Sequence, residues 1–361
     1  MTATLRVVLD QLVAPTSRDL AEASRESARA LIATAPRGAN VAGIVPRGEA
    51  PDVDGLADLT RLGLGRRELA AAWQLGVALG VGRGMIHSPT LLAPLVRHDR
   101  LHETHQIVVT LWDLRAWEAP ESLTRAEGMW QRAMLSRAEK HADAVVVPTH
   151  VMADALAERT PKLAGRIRVI AGAAPEGFRV PTDSTGRLRS LSLPSSFVAL
   201  AGSTSESDGL DSGFRAVANA GGVADVVILD CPQGGEPAVM EQARAAGLPE
   251  SRVHVRGSLE PLDRAAVLGT ASAYLATSTR SHWPTRVMEA LAVGVPIVAI
   301  DSPTNREVLS DAAAIAPPQS LADALDAATQ ADRYRVLACD RAKGFSWSEH
   351  ARSVWQLHAE L

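Results

Sequence analysis

The stretch "STRSHWPTRVMEALAVGVPIVAID", Ser278 to Asp301, leads a polar loop into an apolar helical run that contains one carboxylate, Glu289. Pro284 and Thr285 stand where the loop becomes the helix. Backbone N–H groups at a helix start lack intrahelical partners and lie at the positive end of the dipole, so this start suits a phosphate. Glu289 follows Thr285 by four residues and shares its face one turn further in. A carboxylate there can accept two hydroxyl donors, such as the vicinal diol of a ribose. It can equally cap or pair within the core, and the residues alone leave both readings open.

Other chemistry-bearing residues read more plainly. "GVGRG" (80–84) has part of a dinucleotide fingerprint, but it follows a helical segment and precedes a strand, the reverse of what that motif needs. His98, His102 and His105 have roughly helical spacing with Glu103 between them; no second ligand set accompanies them, so a solvated loop is expected rather than a metal site. His87, in "MIHSP", stands at a strand end where it could face the expected interdomain cleft. Two cysteines, Cys231 and Cys339, are too few for a disulfide framework or a zinc site and fit a reducing cytoplasm.

These residues must be held by elements, and the elements alternate. Short β-branched runs recur, each followed by a helical pattern: "LRVVLD" then 19–34, "NVAGIV", "GMIHSP", "QIVVTLWD" then 122–141, "DAVVVPT" then 150–158, and "IRVIAG". A second series begins with "SFVALAG" then 209–220 and runs through "DVVILD", "RVHVRG" then 261–270, "AYLATS" then 284–293, and "PIVAID" then 304–309. Such alternation with few hairpin signals predicts parallel sheets covered by helices. The expected fold class is therefore α/β with two Rossmann-like domains facing each other across a cleft. The divisions read as 1–174, a Gly- and Pro-rich linker at 175–186, 187–345, and a C-terminal helix within 346–361 packing back toward the first domain. In open parallel sheets ligands bind beyond the carboxyl ends of the strands, so the loops after His87, Trp112, Gly202, Gly257, Ser278 and Asp301 are the ones to inspect.

The composition narrows the partners. The 361 residues, 46% hydrophobic and 22% charged, carry a net charge of −4, so no bulk attraction to nucleic acid is expected. Charge is uneven: residues 1–175 carry +2 and 176–361 carry −6, with a basic excess between Arg61 and Arg100. The N-terminus reads as a first strand rather than a signal peptide. The longest uncharged run, Ser190 to Ser205, has 16 residues, and the helical run Leu69 to Gly82 has 14, against the roughly 20 that a membrane span needs. A helix over 66–79 with Arg66 and Arg67 at its start either packs on its own domain or lies on an anionic membrane.

The wider pattern "ATSTRSHWPTRVMEALAVGVPIVAIDSPTNREVL" resembles the donor-site signature of retaining, nucleotide-sugar-dependent glycosyltransferases of the two-Rossmann-domain (GT-B) type. More narrowly it is similar to family 4, the group 1 glycosyltransferases, where an E-x7-E pair lies in a helix ending A-x-G-x-P-V. "EALAVGVPIVAID" keeps the second half of that pattern, and Glu307 falls where the family places its next Glu. "IVVTLWDLRAWEAPESL", "HADAVVVPTHVMADAL", "RIRVIAGAAPEGF", "VHVRGSLEPLDRAAVLGTASAYLATS" and "FSWSEHARSVW" resemble further family segments in the same order along most of the chain.

The departures fall on the chemistry. The family holds the donor diphosphate with a Gly-Arg and a Lys five residues later; here Gly202 is kept, Ser203 stands at the Arg position and Asp208 at the Lys position. Ser281 replaces the first Glu of E-x7-E, and Trp112 replaces the His of the H-D pair while Asp113 remains. Pro303 and Thr304 replace the glycines before Glu307, and "QLVAPTSRDL" stands where the family has its Gly-rich acceptor loop. Two positive charges are thus missing from the place where a leaving diphosphate would be stabilised. The helix start at Thr285, or Arg256, Arg280 or Arg286, are the candidates to replace them.

The resemblance implies transfer of a sugar, hexosyl in type, from a UDP- or GDP-linked donor to a glycan or lipid-linked acceptor with retention. It implies no bound metal and no cofactor beyond the co-substrate. Asp113 and Trp112 are the expected catalytic positions. The donor would be held by Gly202, Ser203, Thr204, Gly257, Ser258, Leu259, Ser281, Trp283, Pro284, Thr285 and Glu289. The alternative is a catalytically silent homologue that binds a nucleotide or a partner glycosyltransferase; a nucleotide-sugar epimerase on the same fold is a third reading. By family analogy the setting is bacterial polysaccharide biosynthesis in the cytoplasm, with peripheral contact at the inner membrane face left open.

Overall fold

Val7, Val8, Ile44, Ile86, Val108, Val109, Val145 and Val146 are all almost wholly buried, as residues of strands covered on both faces must be. The computed structural model describes residues 3–78, 80–99, 104–222 and 224–361. The chain forms two units, residues 1–172 together with 346–361, and residues 173–345.

In the first unit the strands among the described residues are Ala3–Val8, Ala39–Val45, Asp58–Arg61, Met85–Ser88, Gln106–Thr110, Ala144–Val147 and Ile167–Val169 (β1 to β7). They form one parallel sheet in the order β3-β2-β1-β4-β5-β6-β7. In the second unit they are Phe197–Ala201, Asp225–Leu229, Val253–Val255, Ala273–Ala276, Ile297–Ile300 and Ala314–Ala316 (β8 to β13), parallel in the order β10-β9-β8-β11-β12-β13. Each order reverses once, between β1 and β4 and between β8 and β11. At such a point neighbouring loops diverge and leave a crevice beyond the strand ends, where ligands of this architecture sit. In the second unit the loops beyond that point begin at Gly202 and Thr277.

The helix Trp347–Glu360 belongs to the first unit and packs along the helix Arg18–Ala33. Ser346 caps it, accepting from the Glu349 N–H at 3.1 Å. Trp355 Nε1 donates to the Leu31 carbonyl at 3.1 Å, His350 meets Ser27 Oγ at 3.3 Å and the Ala171 carbonyl at 3.0 Å, and His358 Nδ1 meets Gln106 Oε1 at 3.0 Å. Indole and imidazole groups along one buried face therefore fix the register of this last helix.

Several boundaries differ from expectation for physical reasons. The first unit ends at 172, and the segment expected as a linker lies with the second unit. There Phe178 lies 6.0 Å from the Arg264 guanidinium, Arg187 pairs with Asp263 at 2.8 Å, and Val180 fills the space over Gly269, where a Cβ would come within 2.1 Å of it. The helix expected over 66–79 stops at Gln74, and Gly76 follows with φ of 82°. The edge strand Asp58–Arg61 carries no apolar signal because it is exposed at both ends. His98 is not solvated. Its ring is buried, with Nε2 2.9 Å from Asp143 Oδ2, and it stacks edge-on to His105 at 4.9 Å. His102 and Glu103 lie outside the described residues.

The buried histidines of the first unit are expected to make it acid-sensitive. His87 is wholly buried and neither ring nitrogen has a hydrogen-bond partner; His358 lies 5.8 Å away. Burial, reinforced by His358 and His350, pushes the His87 pKa well below the usual value, and burial pushes His350 and His358 down to about 4. Depressed histidines favour the folded state when neutral. Their contribution is complete above about 6.5 and is lost as pH falls toward about 4. At pH 5 we expect His350 and His358 to lower stability by about 2 kcal/mol each relative to pH 7.5. Urea titrations at the two pH values check this, and His87→Leu, which removes an unpaired buried imidazole, is expected to reduce the acid loss without cost at pH 7.5.

Candidate functional site

The helix Thr285–Val293 starts after Pro284, which offers no side-chain cap, and ends at Gly294 in the left-handed conformation. Its one carboxylate, Glu289, is 0% exposed. Arg264, also 0% exposed, donates through Nη2 to Glu289 Oε1 at 2.6 Å and through Nε at 3.1 Å. Arg286 Nη1 lies 3.0 Å from Glu289 Oε2, and its Nε donates to Asp230 Oδ2 at 2.6 Å. Asp230 follows β9 and adopts a φ of 60°, a conformation that Asp tolerates better than most residues. The result is a buried row of alternating charge, Arg264, Glu289, Arg286, Asp230. Both oxygens of Glu289 are held by guanidinium groups of the chain, which is the core-pairing arrangement that the residues alone left open.

Arg264 is the residue that sequence reading missed. It sits in the helix Pro261–Thr270 and donates through Nη1 to the Leu259 carbonyl at 2.8 Å. The loop expected to support the base, with Gly257 and Ser258 exposed and Leu259 half-buried, is therefore tied to the same buried arginine. The signal that could have found it is an arginine inside the apolar run "RAAVL", opposite a helix with a lone glutamate.

At the switch point of the second sheet the two expected phosphate loops meet. Gly202 has a φ of 135°, and Ser203 follows it half-buried. Asp208 Oδ2 accepts from the Ser203 N–H at 2.8 Å and from Ser203 Oγ at 2.7 Å. Asp208 Oδ1 pairs with Arg280 Nη2 at 2.9 Å. Of the three candidate arginines, Arg280 alone is brought to this loop. Arg256 is held by the carbonyls of Leu191, Val255 and Ser192, and Arg286 by Asp230 and Glu289. Thr204 is exposed, Ser281 and Thr285 are half-buried, and Trp283 is buried against Phe345 with its indole N–H unpartnered.

In the first unit Trp112 donates its indole N–H to the Pro89 carbonyl at 2.8 Å and stacks near-parallel on His350, with Trp347 edge-on, each at 6.1 Å. It therefore takes part in the packing of the last helix. Asp113 accepts from the Arg115 N–H and guanidinium at 3.0 Å and keeps 22% of its side chain exposed. At the end of β1, Asp10 is 0% exposed and pairs with Arg66 at 2.8 Å. No helix among the described residues is long and apolar enough to cross a membrane.

Residues 197–340 match the family described as Glycosyl transferases group 1. No curated protein matches the chain. Among solved structures, it is similar to sucrose-phosphate synthase from Thermosynechococcus elongatus, with 18% identity and a TM-score of 0.69 over 99% of this chain and 98% of that one. It is similar to Anabaena Alr3699/HepE, solved in complex with UDP-glucose, with 16% identity and a TM-score of 0.66 over 99% and 100%. It is also similar to WaaG, a glycosyltransferase involved in lipopolysaccharide biosynthesis, with 14% identity and a TM-score of 0.62 over 99% and 98%. At these identities the likeness is one of fold, the two-sheet α/β architecture of GT-B proteins.

Removing one partner of a buried ion pair leaves an uncompensated charge. Glu289→Gln is therefore expected to destabilise the second unit by about 3–5 kcal/mol in urea titration, because it leaves two guanidinium groups facing a neutral amide. A loss below about 1 kcal/mol would show that Glu289 does not balance both arginines.

Proposed function

We propose that this protein is a glycosyltransferase that takes a nucleotide diphosphate sugar, UDP- or GDP-linked, and moves a hexosyl group to a glycan or lipid-linked acceptor with retention. The observation that carries the reading is the convergence of the Gly202–Ser203 backbone and the Arg280 guanidinium at the switch point of the second sheet, within the segment that matches group 1 glycosyltransferases. A backbone N–H and a guanidinium directed at one place are suited to a phosphoryl oxygen. The base lies over the exposed backbone of Gly257 and Ser258, beside Leu259, and the helix start at Trp283–Thr285 flanks the phosphates.

In this reading the residues of the second unit bind and orient the donor and stabilise the leaving diphosphate, the acceptor belongs to the first unit, and the departing phosphate takes the acceptor proton. No metal or cofactor beyond the co-substrate is assigned. The setting that fits is polysaccharide assembly in the cytoplasm. Exposed Leu64, Leu75 and Val77, around the helix Arg66–Gln74, supply an apolar surface for peripheral membrane contact beside the basic residues Arg61 and Arg67.

A specific observation also favours the silent homologue that binds a nucleotide or a partner glycosyltransferase: Asp208 and Glu289 both engage the chain's own arginines. Calorimetric titration with UDP and GDP, with and without magnesium, separates the readings. Micromolar binding of one nucleotide, about −8 kcal/mol and indifferent to magnesium, is expected. Absence of binding by both would remove the donor reading and turn the search to a protein partner.

A further inference from the structure

At the switch point the chain places an anion of its own. Asp208 is 6% exposed, and three donors converge on its carboxylate: the Ser203 N–H, the Ser203 hydroxyl and the Arg280 guanidinium. A backbone N–H, a hydroxyl and an arginine are the groups that proteins direct at phosphate oxygens. The carboxylate lies against the Gly202 backbone so closely that a Cβ on that glycine would stand 3.0 Å from Asp208 Cβ and 3.1 Å from Oδ2.

This placement is built into the fold. Thr277 Oγ1 donates to the Asp208 carbonyl at 2.8 Å, the Thr279 N–H to the Ser207 carbonyl at 3.0 Å, and Ser278 Oγ to the same carbonyl at 3.2 Å. Gly209, at φ of 68°, lets the segment come so near the end of β11 that a Cβ there would meet the Thr277 carbonyl oxygen at 2.3 Å. Arg280 is steadied from its other side, where Thr304 Oγ1 donates to its carbonyl at 3.1 Å. Both members of the pair are thus fixed by backbone contacts that do not involve the pair itself.

We infer that Asp208 is a built-in occupant of the phosphate position, so that a nucleotide diphosphate must displace its carboxylate from Ser203 and Arg280 to bind. The inference rests on the donor-site reading and adds a residue that sets the strength of donor binding. The phosphate-holding arginine then comes from the loop after β11, as Arg280, and not from the loop after β8. The resting site carries one carboxylate against one guanidinium, so its attraction for a diphosphate is weak until the carboxylate moves.

The test compares the full chain with Asp208→Ala and Asp208→Asn, titrated with UDP, GDP, uridine and guanosine. Asp208→Ala frees all three donor groups and is expected to bind UDP or GDP at least about ten-fold tighter than the parent chain. Asp208→Asn keeps the shape without the charge and is expected to gain less; it carries the test if the alanine variant does not fold, as judged by thermal melting. The gain should be absent for the nucleosides and abolished by adding Arg280→Gln. If the parent chain binds a nucleotide and folded Asp208 variants bind it no tighter, the inference fails while the donor reading stands. If neither the parent nor any variant binds UDP or GDP, the donor reading falls and the inference with it.

Discussion

A carboxylate with no access to water must be met by positive charge, and Glu289 is met twice. Isolated in an apolar helix it would carry a desolvation cost of several kcal/mol. Arg264 and Arg286 answer that cost, and in doing so connect the helix Pro261–Thr270, the helix Thr285–Val293 and, through Asp230, the end of β9. Arg264 also holds the Leu259 carbonyl and lies near the Phe178 ring. A well-packed apolar replacement could be as stable, so what the charges add is a single register for elements that surround the switch point. The Leu259 loop and the end of β9 are tied directly to that row of charge.

The same economy of charge recurs at the rim. The loop after β8 lacks cations at Ser203 and Asp208, yet a guanidinium reaches it from the loop after β11. A cation is therefore present at this loop and engaged by Asp208. In the first unit the pattern is different. Asp10 and Arg66 form a buried pair at the end of β1, and Trp112 is given over to packing the last helix. In both units these buried polar groups are turned toward one another.

Periodicity carried the architecture well, because parallel strands buried on both faces read as β-branched runs and their helices as apolar stripes. The helices Pro261–Thr270, Thr285–Val293 and Trp347–Glu360 lie where the sequence places them. The strands Asp58–Arg61 and Ala314–Ala316 were not legible, the one for lack of an apolar face and the other for its three-residue length. At the candidate site, the side-chain partners were not legible in the sequence. Glu289 was visible as an anomaly, whereas its principal partner Arg264 lies 25 residues away and meets it only once two helices have packed. Side-chain pairing across elements depends on tertiary distance, which local pattern does not encode. For the same reason, Arg256, Arg280 and Arg286 could not be ranked before the fold distinguished them.

The most direct measurement is a crystal structure of the protein with UDP or GDP bound. The account predicts phosphate oxygens on the Ser203 N–H and Arg280, the base over Gly257 and Ser258, and Glu289 still paired with Arg264 and Arg286. Ribose hydroxyls on Glu289 with Arg264 displaced, or a nucleotide bound away from the β8–β11 switch point, would contradict it.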